Sequence, residues 1–213
     1  MVKTGARASV LGATLVAAGL RIIADRPAPP RTSALTASFR SDIRAWLVDF
    51  GGRTDALDRL RPGSWDLVFD DGLVVELDEE LHFNRYRART LQAPWAQGLP
   101  WTAPYLRYCS DDEAACLAAA KWGKRWTNPS CERLFGVAAP AGSFEGNGAP
   151  RWKQRALYDA IKDAFALSQQ EYRLARVAVY DDIEGRTLEE VLRSPRPDDA
   201  EAVAELVRSR MPS

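Results

Sequence analysis

Histidine is nearly missing from this chain: the 213 residues contain one, His82. Sites built from several imidazoles are excluded by that count. Cysteine is scarce too. Cys109, Cys116 and Cys131 are odd in number and lack Cys-x-x-Cys spacing. That pattern argues against a secreted disulfide framework and for reduced, packed thiols in a cytoplasmic protein. The three cysteines with His82 would make four zinc ligands of the right kind, but their spacings match no zinc knuckle, so zinc is not the expected metal. Net charge is absent as well, with 29 Lys+Arg against 29 Asp+Glu. A strongly basic, histone-like binder is excluded; an enzyme with local basic patches is not. No long hydrophobic run stands out. The apolar stretch from Val10 to Leu20 follows Lys3 and Arg7 and is similar to a signal-peptide core. It is shorter than the roughly 20 residues a bilayer needs. Leu11, Leu15, Ala18 and Ile22 fall at helical spacing, which predicts an amphipathic helix on the domain and no membrane partner.

What is present is a globular composition, 46% apolar and 27% charged, which excludes a wholly disordered, collagenous or multi-spanning chain. The length suits one domain over 1–213. A proline-rich break at 26–33 sets off the N-terminal segment 1–33. A helix is expected over 41–50, with Ile43, Trp46 and Leu47 on one face and Gly51-Gly52 stopping it. Two strands, 65–69 and 73–78, flank Asp70-Asp71-Gly72. Trp95, Pro100, Trp101 and Pro104 suggest a loop with aromatic anchors, and a helix is expected over 111–122. Lys121, Lys124 and Arg125 interleave with Trp122 and Trp126, a combination that can stack on single strands or simply be core. A Gly/Pro/Asn-rich loop fills 136–150. Residues 151–167 read as an amphipathic helix with Leu157, Ile161, Ala164 and Phe165 buried, and Arg151, Lys153, Arg155 and Lys162 off that stripe. A strand at 174–180, a capping box of Thr187 and Glu190 opening a helix, and a last helix over 199–210 complete the chain. The order implies an α/β (α+β) domain with helical additions at both ends, including C-terminal helices within 181–213.

The chemistry concentrates in the hairpin. A two-residue loop would put Asp66 and Glu76 on opposite sides of the sheet. A three-residue loop, Asp70-Asp71-Gly72, puts Asp66 opposite Glu76, with glycine where the left-handed residue belongs. The three-residue register also gathers Trp65, Leu67, Phe69, Leu73, Val75 and Leu77 on one face, and pattern of this kind fixes register. Asp66, Glu76 and Asp78 then share the other face, with opposed Cβ atoms about 5 Å apart. Like charges at that distance call for compensation, and a hard divalent cation is the natural candidate. The plain alternative is a hairpin with one solvated acidic face.

Asp66 followed by Glu76-x-Asp78-x-x-x-His82 resembles the PD-(D/E)XK nuclease superfamily, in particular the branch related to very-short-patch repair endonucleases. The resemblance implies a restriction-endonuclease-like core over 41–180, with a mixed sheet, a central β-hairpin and an insertion at 90–150. It implies a metal-dependent endonuclease acting on nucleic acid, DNA before RNA, with Mg²⁺ (or Mn²⁺) as cofactor. Asp66 and Glu76 carry over as metal ligands and Asp78 stands at the superfamily's lysine position, so that Asp66, Glu76 and Asp78 form the expected metal set. His82 becomes the general acid or base, or the group that orients the attacked phosphate. Arg85, Arg87 and Arg89 become phosphate contacts, since the guanidinium fork matches phosphate oxygens. Lys153 and Arg155 are further candidate substrate contacts. In both basic stretches the plain alternative is a solvated helix face. The branch has glycine after the second acid, where this chain has Glu79. That departure leaves open an inactive nuclease-fold module that binds nucleic acid or a protein partner.

Overall fold

The structure is a computed structural model that describes residues 5–24, 26–120, 125–169 and 171–212. Lys3, Lys121, Trp122 and Lys124 lie outside the described residues. In chain order the elements are α1 (Ala6–Ala17), α2 (Ala37–Asp49), β1 (Leu67–Val68), β2 (Leu73–Asp78), α3 (Arg85–Leu91), α4 (Thr102–Asp111), α5 (Glu113–Ala120), α6 (Pro129–Phe135), α7 (Pro150–Ser168), β3 (Arg173–Ala178), β4 (Asp182–Ile183), β5 (Arg186–Thr187), α8 (Leu188–Arg193) and α9 (Asp199–Ser209). The architecture is mixed α/β, mostly helical around a small mixed sheet. Among the described residues no helix is long and apolar enough to cross a membrane.

The sheet runs β1-β2-β3, antiparallel across the hairpin and parallel between β2 and β3. Leu67 pairs with Val75 and Val68 with Val74, and the Phe69 amide donates to the Leu73 carbonyl, so the hairpin takes the three-residue register. Gly72 is needed there on two counts. Its φ is +80°, and a Cβ would sit 2.8 Å from the Glu171 carbonyl oxygen.

Every residue of β2 is buried, so the sheet has no solvated acidic face. The reason is tertiary. β2 is the central strand, and its two faces are covered by different helices. Leu67 meets α1 at Gly12, while α9 packs on β3. The opposite face, with Glu76, Asp78 and Arg176, lies under α7. That position also changes α7. Lys153 and Lys162, expected off its buried stripe, are both buried, because the helix is surrounded on nearly all sides. Trp65 does not follow the hairpin's apolar face. Regular pairing ends at Leu67, and the Trp65 ring lies against Phe165 and Lys162 of α7.

Other boundaries moved for local reasons. α2 starts at Ala37, not at 41, because the Thr36 hydroxyl accepts from the Phe39 amide. The expected loop around Trp101 is largely helix. Pro104 sits in the first turn of α4, where a missing N–H costs nothing, and Tyr105 and Cys109 are buried on one side. The helix expected over 111–122 is split at Asp112 between α4 and α5. α6, capped by Asn128 with Pro129 in its first turn, and the β4–β5 hairpin were not expected. The Thr187–Glu190 capping box and α9 stand where the sequence puts them. All three cysteines are free and buried.

Candidate functional site

Strand register brings Asp66 and Glu76 together. The Asp66 amide donates to Glu76 Oε1 at 3.2 Å, and the Leu77 amide donates to Asp66 Oδ2 at 3.0 Å. Asp66 Oδ1 receives no hydrogen bond from any described residue. Glu76 is 4% exposed, and its Oε2 accepts from Lys162 Nζ of α7 at 2.7 Å. Lys162 also donates to the Ser64 carbonyl at 3.1 Å. Burial pushes both acids up against these partners: Asp66 above its ordinary range, and Glu76 to about 7 in spite of Lys162. This pair is therefore short of positive charge.

Two residues further along β2 the balance reverses. Asp78 is 1% exposed, and each of its oxygens is occupied. Arg176 Nη1 reaches Oδ1 at 3.0 Å and Oδ2 at 2.8 Å, and the Tyr105 hydroxyl donates to Oδ2 at 2.9 Å. His82 Nδ1 lies 3.0 Å from Oδ1 and 2.9 Å from Asp159 Oδ2. Burial raises the proton affinity of both aspartates, but Arg176 and His82 more than offset it, and both end below their ordinary values. For His82, burial pushes down, Asp159 and Asp78 push up harder, and the imidazole reaches about 9. It is an imidazolium at neutral pH. With Nδ1–H shared by two carboxylates, Nε2 is the working atom. It meets no described residue, and the side chain is 20% exposed.

Arg176 extends the network inward. Its Nε donates to Asp163 Oδ1 at 2.6 Å, and Asp163 Oδ2 accepts from Arg87 at 2.7 Å. A line of alternating charges thus runs from the largely buried ring of His82 to the fully buried Arg87. Among the described residues, Asp78, His82 and Asp159 are the only three candidate metal ligands with donor atoms within 4.8 Å of one another. Arg176 and His82 together already compensate both carboxylates. Asp66, Glu76 and Asp78 do not form such a group, because Asp78 turns to Arg176 and His82.

The basic residues fall into different settings. Arg87 is 1% exposed and locked to Asp163, so it cannot touch a substrate; a helix pointing a guanidinium inward reads the same in sequence as one pointing it out. Lys153 is also withdrawn, donating to the Phe50 carbonyl and to Asn147 Oδ1. Arg85 is on the surface, paired with Glu113 and lying 3.5 Å over the Phe144 ring. Arg89 is exposed, pairs with Asp49 and with it lines a hollow of about 590 Å³ together with Arg44, Trp46 and Val48, away from Asp66, Glu76, Asp78 and Asp159. Arg155 is half-buried and donates to the Leu81 carbonyl at 3.2 Å. Glu79, the departure from the motif, lies 3.5 Å from Arg7 of α1, which also binds Glu80 and Glu189.

Sequence reasoning missed Asp159, Asp163 and Arg176, and read Lys162 as a surface charge. One signal was present. Arg176 interrupts an otherwise apolar strand, and an arginine in that position must be buried with acids around it.

Residues 45–194 match one protein family, described as a family of unknown function (DUF7255). The match includes every site residue from Asp66 to Arg176 and excludes α1 and α9. No curated protein and no solved structure matches the chain.

Proposed function

The chain belongs to the DUF7255 family, whose function is unknown, and from the site it carries we propose a metal-dependent hydrolase of nucleic-acid phosphodiesters, DNA before RNA, on a restriction-endonuclease-like core. One observation carries this reading. Asp66 and Glu76 meet across the hairpin, and the strand that carries Glu76 continues through Asp78 to a charged His82.

The donor set at Asp66 and Glu76 fits a hard divalent cation. Both are carboxylates, one oxygen of Asp66 has no donor, and burial leaves the pair deficient in positive charge. Magnesium is commonly held by one or two carboxylates with waters and substrate phosphates; manganese accepts the same oxygens. Such an ion stabilises the charge that builds on phosphoryl oxygens. Asp78 does not fit as a ligand, since Arg176, Tyr105 and His82 use both its oxygens. It is a positioning residue for the imidazole.

The protein's own groups divide the remaining work. Lys162 offsets part of the burial cost of Glu76 and holds its Oε2 in place. His82, already protonated, acts as an acid rather than a base. As water attacks phosphorus and the P–O bond breaks, Nε2–H supplies the proton taken up by the leaving oxygen, the proton released by the attacking water passes to solvent, and the imidazole is reprotonated from solvent. Asp78 and Asp159 hold the ring from behind and stabilise its charge.

A binding-only module is the second reading, favoured by the complete Glu76–Lys162 ion pair and the burial of Glu76. Labelled single- and double-stranded DNA incubated with Mg²⁺ or Mn²⁺ separates the two. The hydrolase reading expects metal-dependent cleavage that falls about a hundredfold or more in Glu76→Gln and in Asp66→Asn. DNA that is bound but left intact by the wild type with either metal supports the binding module and removes the hydrolase.

A further inference from the structure

Arg155 stands apart from the other cations around His82. Arg87, Lys162 and Arg176 each meet a carboxylate at 2.8 Å or less. Arg155 meets none. Its one hydrogen bond runs from Nη1 to the Leu81 carbonyl. Asp159 lies one turn further along α7, but its Oδ2 is taken by His82 and its Oδ1 lies 3.6 Å from Arg176. Nε and Nη2 of Arg155 make no hydrogen bond with a described residue, and the side chain is partly buried. Burial, and then Arg151 one turn before, lower the proton affinity of this guanidinium. Asp159 and Asp78 act on it only from beyond ion-pair distance and do not outweigh burial, and an anion there would relieve the cost.

Leu81, whose carbonyl fixes Arg155, directly precedes His82. The imidazole keeps Nε2 open because Asp78 and Asp159 take Nδ1. Arg155 of α7 thus holds the carbonyl of the residue directly before His82, and Asp159, one turn after Arg155 on α7, holds the imidazole itself.

We propose that Arg155 and His82 together form a binding site for a single phosphate group. Guanidinium nitrogens match phosphate oxygens in pairs, and Nε2–H supplies a third donor. Arg85, Arg89, Arg87 and Lys153 are excluded from this role because each is already engaged elsewhere. The inference rests on the hydrolase reading only for the source of the phosphate, a phosphodiester; the site itself follows from the unpaired guanidinium and the open ring nitrogen.

Because His82 is the only histidine, its imidazole gives one set of ring signals in an NMR spectrum. Inorganic phosphate is titrated into the metal-free full chain at pH 7, with sodium chloride at matched ionic strength as reference. The expected result is a saturable shift of the His82 signals with phosphate and none with chloride. Arg155→Gln weakens phosphate binding about tenfold or more, the loss of a charge-assisted contact. Arg155→Lys falls between the two, and Arg85→Gln leaves binding unchanged. Glu76→Gln keeps the phosphate shift even where it removes cleavage, so the anion site and the hydrolase reading fail separately. A His82 signal that ignores phosphate in the wild type overturns the inference whatever the variants do. Equal phosphate affinity in wild type and a folded Arg155→Gln overturns it as well.

Discussion

At the scale of single residues, the site is ordered by how each acid is compensated. Asp78 and Asp159 lie below their ordinary proton affinity because Arg176 and His82 outweigh burial; Asp66 and Glu76 lie above theirs because Lys162 alone does not. The same balance ties stability to His82. Its folded value, about 9, is above the ordinary 6.5, so the folded state holds the proton more tightly. The resulting stabilisation is complete below pH 6.5 and is lost as pH rises through 9. From about pH 7.5 to 9.5 the buried thiols of Cys109, Cys116 and Cys131, whose proton affinity burial raises, also draw stability down, so the imidazole is read from the difference between wild type and His82→Gln. Urea unfolding over that interval is expected to show the wild type losing roughly 2 kcal/mol more than His82→Gln. Parallel pH profiles for the two proteins would mean that His82 is not held as an imidazolium.

At the scale of elements, the β1–β2 hairpin was legible because two independent signals agreed: a period of two in the apolar residues and a glycine at the left-handed turn position. Gly72→Ala tests that turn. With φ at +80° and a new Cβ 2.8 Å from the Glu171 carbonyl, it is expected to cost more than about 1 kcal/mol. Gly63→Ala, with open space around it, is expected to be neutral. Equal melting temperatures for the two variants would count against the turn. Asp66, Glu76, Asp78 and His82 were legible for the same reason, since they lie on or beside this local unit. Asp159, Lys162 and Arg176 were not. They reach the site through the parallel pairing of β2 with β3, about a hundred residues later, and no local pattern encodes that contact. A lysine on a helix is solvated in most settings, and only the sheet beneath α7 turns Lys162 inward. α4 was hidden by its own Pro104, and α6 by its brevity, seven residues with a cap as the one local cue.

At the scale of the whole molecule, the family match and the folded unit are not the same size. Residues 45–194 hold the entire charge network, yet the apolar side of the sheet is covered by α1 and α9, which lie outside the match. Leu11 and Leu15 of α1 are fully buried. Burying two such side chains contributes roughly 3–6 kcal/mol, which is comparable with the whole stability of a marginal domain. Arg7 joins the same helix to Glu80 and Glu189 at 2.8 Å, and to Glu79 at 3.5 Å. Glu79, out of place in the motif, thus has a structural use: it belongs to the acidic seat of α1. The segment after α1 adds to the attachment, with the Ile23 amide donating to the Val68 carbonyl of β1. Deleting residues 1–24 is therefore expected to lower the urea midpoint sharply or abolish the cooperative transition, because Leu67 and its neighbours on the sheet lose their cover. Leu11→Ala in the full chain is expected to cost about 2–5 kcal/mol through the cavity it leaves. Arg7→Gln, which removes only partly exposed ion pairs, is expected to cost less, about 1 kcal/mol. Should the deleted form unfold at the wild-type midpoint, α1 is an appendage and the sheet does not depend on it; should Arg7→Gln cost more than Leu11→Ala, the helix is held by its charges and not by its buried leucines.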